Sequence, residues 1–251
     1  MMDKTDYSIV RRFIDLSRQA DTKGIVLFSD FLNMNEINLL EQNKSDLCSS
    51  YSLFGGYEYA ERQMVAFQPD ALYYNWEYPI VCIKYSPVNL KFSEELTHRD
   101  VLGALMHLGI ERGLIGDIIF QNQEILIFCQ EKISSFLLQE LIKIKHTQVI
   151  GKIFNSKDLQ IELSFKDAQG NISSNRLDAF VAQSCKLSRA KAAEYILGEN
   201  VFINGKLLTN HNAKLSPEDI VSLRGYGKLI IREIGSTTRK GRIWVSYQWY
   251  Q

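Results

Sequence analysis

The chain has 251 residues, 45% hydrophobic and 23% charged with only 4 prolines, which excludes disorder and allows one large domain or two to three small ones. Lys and Arg number 29, as do Asp and Glu, so no overall excess of charge marks a partner, yet residues 175–251 hold 12 basic against 6 acidic side chains. That segment carries +6 and the rest −6, the asymmetry of a protein that turns one segment to a polyanion and offers an acidic amino-terminal region to a protein partner.

Met1 to Arg12 mixes charges and lacks the apolar stretch of a secretion signal, and no run nears the roughly 18 apolar residues of a membrane span. Tyr7 to Gln19 reads as a helix with Ile9, Val10, Phe13 and Leu16 on one side, and Ile25–Phe28 as a short buried strand. Phe31 to Gln42 is again helical, and Tyr51–Phe54 and Met64–Phe67 are strand-like. Gly55-Gly56 is read as a turn, because no Lys-Ser/Thr follows at phosphate-loop spacing and no dinucleotide fingerprint is present. Residues 1–76 are therefore expected to form a mixed α/β amino-terminal domain.

From 77 to 168 the pattern is clearer. Ile80–Tyr85 is a strand, and Thr97 with Asp100 begins a helix with a capping box. Val101, Leu102, Leu105 and Leu108 line one face of that helix, and Gly109 ends it. Ile118–Phe120 and Ile125–Cys129 read as a hairpin, and Ser134–Lys145 as a second helix. Val149–Phe154 and Ile161–Phe165 supply further strands. The order β-α-β-β-α-β is that of a ferredoxin-like domain, a plan shared with RNA-recognition sheets but without their aromatic signature here. Asp167 to Asn175 reads as a linker.

In 175–251, Arg176 to Ala182 begins a short helix and Lys186-Leu-Ser188 breaks the chain. Ser188 caps a second helix, Arg189 to Leu197, closed by Gly198. Val201–Ile203 is a strand, Asn204-Gly205 a hairpin turn, and Ile220–Arg224 another strand after Ser216-Pro-Glu-Asp219. One feature runs against helix electrostatics. The first turn of a helix favours acids, yet Arg189 and Lys191 stand there, each at a cost of about 0.3–1 kcal/mol. Free backbone N–H groups, the helix dipole and two cations then converge on a site suited to phosphate. In the tail, Trp244, Tyr247, Trp249 and Tyr250 are candidates for stacking on bases, and about two of the four are expected to pack onto the domain instead.

Arg176-Leu-Asp, Lys186-Leu-Ser-Arg-Ala-Lys-Ala-Ala, Val201-Phe-Ile-Asn-Gly-Lys206 and Asp219-Ile-Val-Ser-Leu resemble, in that order, the αL RNA-binding domain of small-subunit ribosomal protein S-four. The resemblance implies RNA contacts at Arg176, Lys186, Ser188, Arg189, Lys191, Asn204 and Lys206. Gly55-Gly-Tyr-Glu-Tyr-Ala-Glu-Arg62, Leu96-Thr-His-Arg-Asp-Val-Leu-Gly-Ala-Leu-Met106, Leu108-Gly-Ile-Glu-Arg, Ile115-Gly-Asp-Ile118 and Lys240-Gly-Arg242 resemble the YlmH family over essentially the whole chain. That family implies an α+β protein of three small domains: an amino-terminal domain, a central RNA-binding-like domain and a carboxy-terminal αL domain. It also implies binding to the large ribosomal subunit near peptidyl-tRNA, in rescue or clearance of stalled nascent chains, and carries a cell-division label. Arg239, Lys240 and Arg242 extend the basic surface, and His98 and Arg99 form a second candidate RNA contact.

The four cysteines, Cys48, Cys82, Cys129 and Cys185, form no C-x-x-C pair, which points to reduced, buried thiols in a cytoplasmic protein, with no metal and no cofactor. Catalysis is not expected. Arg176-Leu-Asp178 superficially resembles the catalytic loop of pseudouridine synthases, but it continues Ala-Phe-Val-Ala inside a helix, and no Gly-rich methyltransferase turn exists. An RNA-modifying enzyme and a cell-division-linked protein adaptor are the alternatives to a non-catalytic RNA-binding protein.

Overall fold

A computed structural model describes residues 4–90, 93–155, 165–237 and 241–250. The chain divides into two compact units, Met1–Ile161 and Glu162–Gln251.

In the first unit, α1 (Lys4–Lys23), β1 (Leu27–Phe28), α2 (Met34–Gln42), β2 (Ser50–Phe54) and β3 (Met64–Gln68) come first. The strands form an antiparallel sheet ordered β1-β3-β2. Phe13 and Ala20 of α1 and Leu40 of α2 pack with Val65 and Phe67, so α1 runs past Gln19 because its apolar stripe continues. The second helix starts at Met34, later than Phe31. Asn33 caps it and exchanges a capping box with Glu36, while Phe31 stays extended and donates its N–H to Gly113.

The same unit continues with β4 (Ile80–Pro87), α3 (His98–His107), β5 (Ile115–Gln121), β6 (Glu124–Gln130), α4 (Ser134–Glu140), β7 (Lys143–Ile144) and β8 (Thr147–Phe154). The sheet order β5-β6-β4-β8-β7, antiparallel throughout, contains the ferredoxin-like order in its first four strands. Thr97 and Asp100 exchange the expected capping box. Ile83, Tyr85 and Ile127 of the sheet pack on Val101 and Leu105 of α3 and Leu137 of α4. The helix α4 ends at Glu140, short of Lys145, because Lys143–Ile144 turn back through Lys145 (φ +50°) to pair with Thr147 and Gln148.

The second unit contains β9 (Phe165–Ile172), α5 (Leu177–Ser184), α6 (Arg189–Leu197), β10 (Val201–Ile203), β11 (Lys206–Leu207), β12 (Ile220–Leu223), β13 (Gly227–Thr237) and β14 (Ile243–Tyr250). Its six-stranded sheet is ordered β11-β10-β12-β13-β14-β9. Phe180 and Ile196 from the two helices pack on Val221, Leu229, Ile231 and Val245. The whole is an α+β protein.

One expectation is overturned here: the polar stretch from Asp167 is largely not a linker. Phe165–Ile172 pairs in unbroken antiparallel register with β14, from Phe165 opposite Tyr250 to Ile172 opposite Ile243. Asp, Gln, Gly and Asn favour loops locally, but a full-length partner strand supplies the hydrogen bonds and Ile172 is buried. Gly170 is a close-approach position rather than a hinge, since a Cβ there would come within 2.3 Å of the Gln183 side chain. The expected strand Ile161–Phe165 lies outside the described residues except for Phe165. Cys82, Cys129 and Cys185 are buried thiols as expected, whereas Cys48 is exposed.

Candidate nucleic-acid interface

The junction between α5 and α6 is set by backbone geometry. The first helix ends with Lys186 at φ +56°, and the Leu187 N–H reaches back to the Ala182 carbonyl at 2.9 Å. This closure normally takes Gly in the left-handed position; a Cβ there costs about 1–2 kcal/mol. The lysine is exposed. Ser188 caps α6 as expected, its Oγ accepting the Lys191 N–H at 3.3 Å. Lys191 is exposed, and neither lysine makes an ion pair among the described residues.

Arg189 departs from the expectation of an open cation at the helix start. Its Nη2 lies 2.6 Å from Asp178 Oδ2, and its Nη1 donates to Ser173 Oγ at 2.6 Å. Arg176 grips the same carboxylate through Nε at 3.2 Å and Nη2 at 2.9 Å. His211 Nδ1 stands 3.9 Å from Asp178 and 3.4 Å from Arg176 Nη2. The Asp178 side chain is 6% exposed, the two arginines 38% and 42%. Burial would raise the Asp178 carboxyl, but hydrogen bonds and charge from Arg189 and Arg176 overcome it and hold the group below the usual Asp value. The protein's own acid therefore offsets part of the cationic tip. One carboxylate cannot neutralise two guanidiniums, so the cluster keeps a net positive charge with its outer edges in solvent.

Asn204 also has an internal role. With Gly205 it takes positive φ, +49° and +78°, the pair of values that a two-residue type I′ hairpin requires. Its side-chain amide donates to Asp219 Oδ1 at 2.8 Å and its Oδ1 accepts the Ile220 N–H at 2.9 Å. That side chain is used to hold the turn against β12. Lys206 follows on the exposed β11, and Arg242 is exposed before β14. Arg239 and Lys240 lie outside the described residues.

Strand alternation sorts the aromatic tail. Tyr247, 5% exposed, meets Phe180 edge-on at 5.3 Å, and Trp249 packs on the same helix-covered core. Trp244 and Tyr250, one residue out of phase, lie on the opposite face of the sheet.

In the first unit, His98 and Arg99 are exposed in the first turn of α3. Partial burial of its ring, then the neighbouring Arg112 charge, holds the His98 imidazole below its ordinary pKa. The other motif residues converge beside it, in a role that sequence reading did not assign. Asp117 accepts hydrogen bonds from Tyr57 Oη at 2.8 Å and from the backbone N–H of Glu61 and Arg62 at 2.7 and 3.1 Å. Arg62 in turn donates to the carbonyls of Ile115, Phe31 and Arg112 at 2.9, 2.9 and 3.2 Å. These bonds staple the amino-terminal sheet to the central one. Tyr57 covers Phe128 of β6 with ring centroids 5.0 Å apart, so the central sheet cannot offer that aromatic to a base as an RNA-recognition sheet does. Among the described residues no group of His, Cys, Asp or Glu is placed to hold a metal ion, and no helix is long and apolar enough to cross a membrane.

The ribosome-associated protein quality control protein P2 of Bacillus subtilis (strain 168) is 24% identical, the match covering 98% of this chain and 95% of that protein. The structure of the cell division protein ylmH from Streptococcus pneumoniae superposes with a TM-score of 0.51 at 20% identity, covering 64% of this chain and 98% of that structure, a likeness of fold. Residues 74–158, which hold the ferredoxin-like sheet, match the family described as the putative RNA-binding domain in YlmH.

Proposed function

We propose that this chain is a non-catalytic, cytoplasmic RNA-binding protein of ribosome-associated quality control, which docks on structured RNA of the large ribosomal subunit beside peptidyl-tRNA. The observation that carries the reading is the junction of α5 and α6. There, two arginines share one carboxylate, and Lys186 and Lys191 stand exposed beside the capped start of α6. Such a surface suits a phosphate backbone, which it grips without reading sequence. The name of the Bacillus subtilis relative and the family of residues 74–158 support the same reading. The absence of catalysis is supported by Asp178. A pseudouridine synthase needs an open aspartate beside its substrate, whereas this one is buried and held by two guanidiniums.

The test is co-sedimentation of the full chain with large ribosomal subunits at several salt concentrations. Lys186→Ala with Lys191→Ala is expected to weaken binding and to flatten the dependence of log affinity on log salt by about one unit per lost phosphate contact at most. Affinity and slope both equal to wild type would overturn the reading.

A further inference from the structure

The sheet of the carboxy-terminal unit has a second face, turned away from α5 and α6. There β14 presents Trp244, Ser246, Gln248 and Tyr250, and register places Asp167 and Gln169 of β9 beside Gln248 and Ser246. On β13, alternation from Ile231, which lies in the helix-covered core, turns Arg232 to the same surface. Together Asp167, Gln169, Arg232, Trp244 and Gln248 line a groove of about 520 Å³, within the size range of small-ligand sites.

Its chemistry is mixed in a particular way. Arg232 Nε donates to Gln248 Oε1 at 2.8 Å, and Gln248 Nε2 donates to Asp167 Oδ1 at 2.8 Å. A row of donors and acceptors thus runs across the floor. These bonds lie in solvent, so exchanging them for bonds to a ligand costs little. Cations and rings alternate along the border. The Arg232 guanidinium sits 5.8 Å from the centre of the Phe165 ring, Lys228 Nζ 5.3 Å from that of Tyr250, and the two rings are 5.0 Å apart. Trp244 contributes an indole to the wall.

An aromatic wall, amide and carboxylate groups at its foot and cations at the rim are the three things an unpaired nucleotide needs: a stacking surface, partners for the base edge, and charge for the phosphate. We infer that this face is a second RNA site, which binds unpaired nucleotides of a single strand by stacking on Trp244, with Gln248 and Asp167 at the base edge and Arg232 at the phosphate. The site rests on the RNA-binding reading above. It adds to the cationic α5–α6 surface a second surface on the far side of the same sheet, built in part from the segment whose composition reads as a linker. Acidic neighbours make the groove a poor seat for phosphate alone, since Glu218 pairs with Arg232 at 2.9 Å; the base, not the backbone, supplies the recognition.

The experiment titrates the full chain with fluorescein-labelled octamers of uridine and of adenosine, and separately with a labelled RNA hairpin lacking single-stranded tails. Anisotropy and quenching of tryptophan emission are both read. Wild type is expected to bind the octamers with quenching. Trp244→Leu should remove most of the quenching and weaken octamer binding roughly tenfold or more, the range expected for one lost stacking partner. Arg232→Gln, at an exposed position that tests the site without touching the core, should weaken it too. Hairpin binding should be unchanged in both and reduced in Lys186→Ala with Lys191→Ala. Octamer affinity unaltered in both groove variants would overturn the inference, as would a wild type that binds the hairpin but neither octamer; both leave the α5–α6 reading standing. A wild type that binds neither kind of RNA would overturn both. Far-ultraviolet circular dichroism checks that Trp244→Leu folds.

Discussion

Replacing Asp178 by Asn keeps the shape of the side chain and removes its charge. In the native protein this carboxylate accepts N–H groups from Arg176 and Arg189 at 2.6–3.2 Å while only 6% exposed. Hydrogen bonds to charged groups are each worth about 1.5–3 kcal/mol where water is excluded. Both guanidiniums are more than a third exposed, so solvent screens the attraction and rehydrates the arginines once the acid is gone. An Asn amide would also turn an NH2 group toward N–H donors. The balance is a loss of about 1–3 kcal/mol at pH 7. The sign of the pH dependence follows from the carboxyl being held below its usual value. A group of this kind contributes stability that is fully present above its unfolded value, near 3.9, and is lost as pH falls through the lower folded one. Urea unfolding of wild type and Asp178→Asn, followed by tryptophan emission at pH 7 and at pH 3.5, is the assay. The midpoints should be well separated at pH 7 and draw together in acid. Equal midpoints at pH 7, or a gap at pH 3.5 no smaller than at pH 7, would refute the account of Asp178 as an ion-pair hub.

Lys186 holds a left-handed backbone conformation that glycine adopts without strain. Lys186→Gly is expected to raise stability by about 0.5–1 kcal/mol in urea unfolding while weakening RNA binding in the sedimentation assay, and a variant that is both less stable and equally active would contradict this. Gly56 has φ +102°, and a Cβ there would lie 2.4 Å from the Phe128 ring and 3.1 Å from Ile80. Gly56→Ala is therefore expected to cost roughly 2–4 kcal/mol, through overpacking and backbone strain together; an unshifted urea midpoint would show that the Tyr57 segment does not close over β6 as described.

Several parts of this molecule are legible locally, because the forces that set them act over a few residues. The Thr97–Asp100 capping box, the Ser188 cap and the Asn204-Gly205 turn are read from single short strings and are present in the fold. The β-α-β-β-α-β order of the central segment follows from hydrophobic period alone, and so does the apolar face of α3, whereas α6 buries Ala192 and Ile196 and leaves Leu197 in solvent. The charge asymmetry of residues 175–251 and the cationic first turn of α6 are properties of the chain before it folds.

What the chain does with those charges is decided at long range. Arg189 reads as an open cation because its partner, Asp178, lies 11 residues away on another helix. Asn204 reads as an RNA contact because nothing nearby announces Asp219 and Ile220, which occupy its amide. Phe165–Ile172 has the composition of a linker and becomes a strand only because β14, some 80 residues on, supplies a partner for its whole length. Alternation along β14 divides the four aromatics into two pairs, but which pair is covered depends on the side from which α5 and α6 approach. Propensity, capping and turn chemistry are therefore fixed by neighbours in sequence, whereas ion pairing, strand partnership and the choice of open face belong to neighbours in space, which only the folded chain brings together.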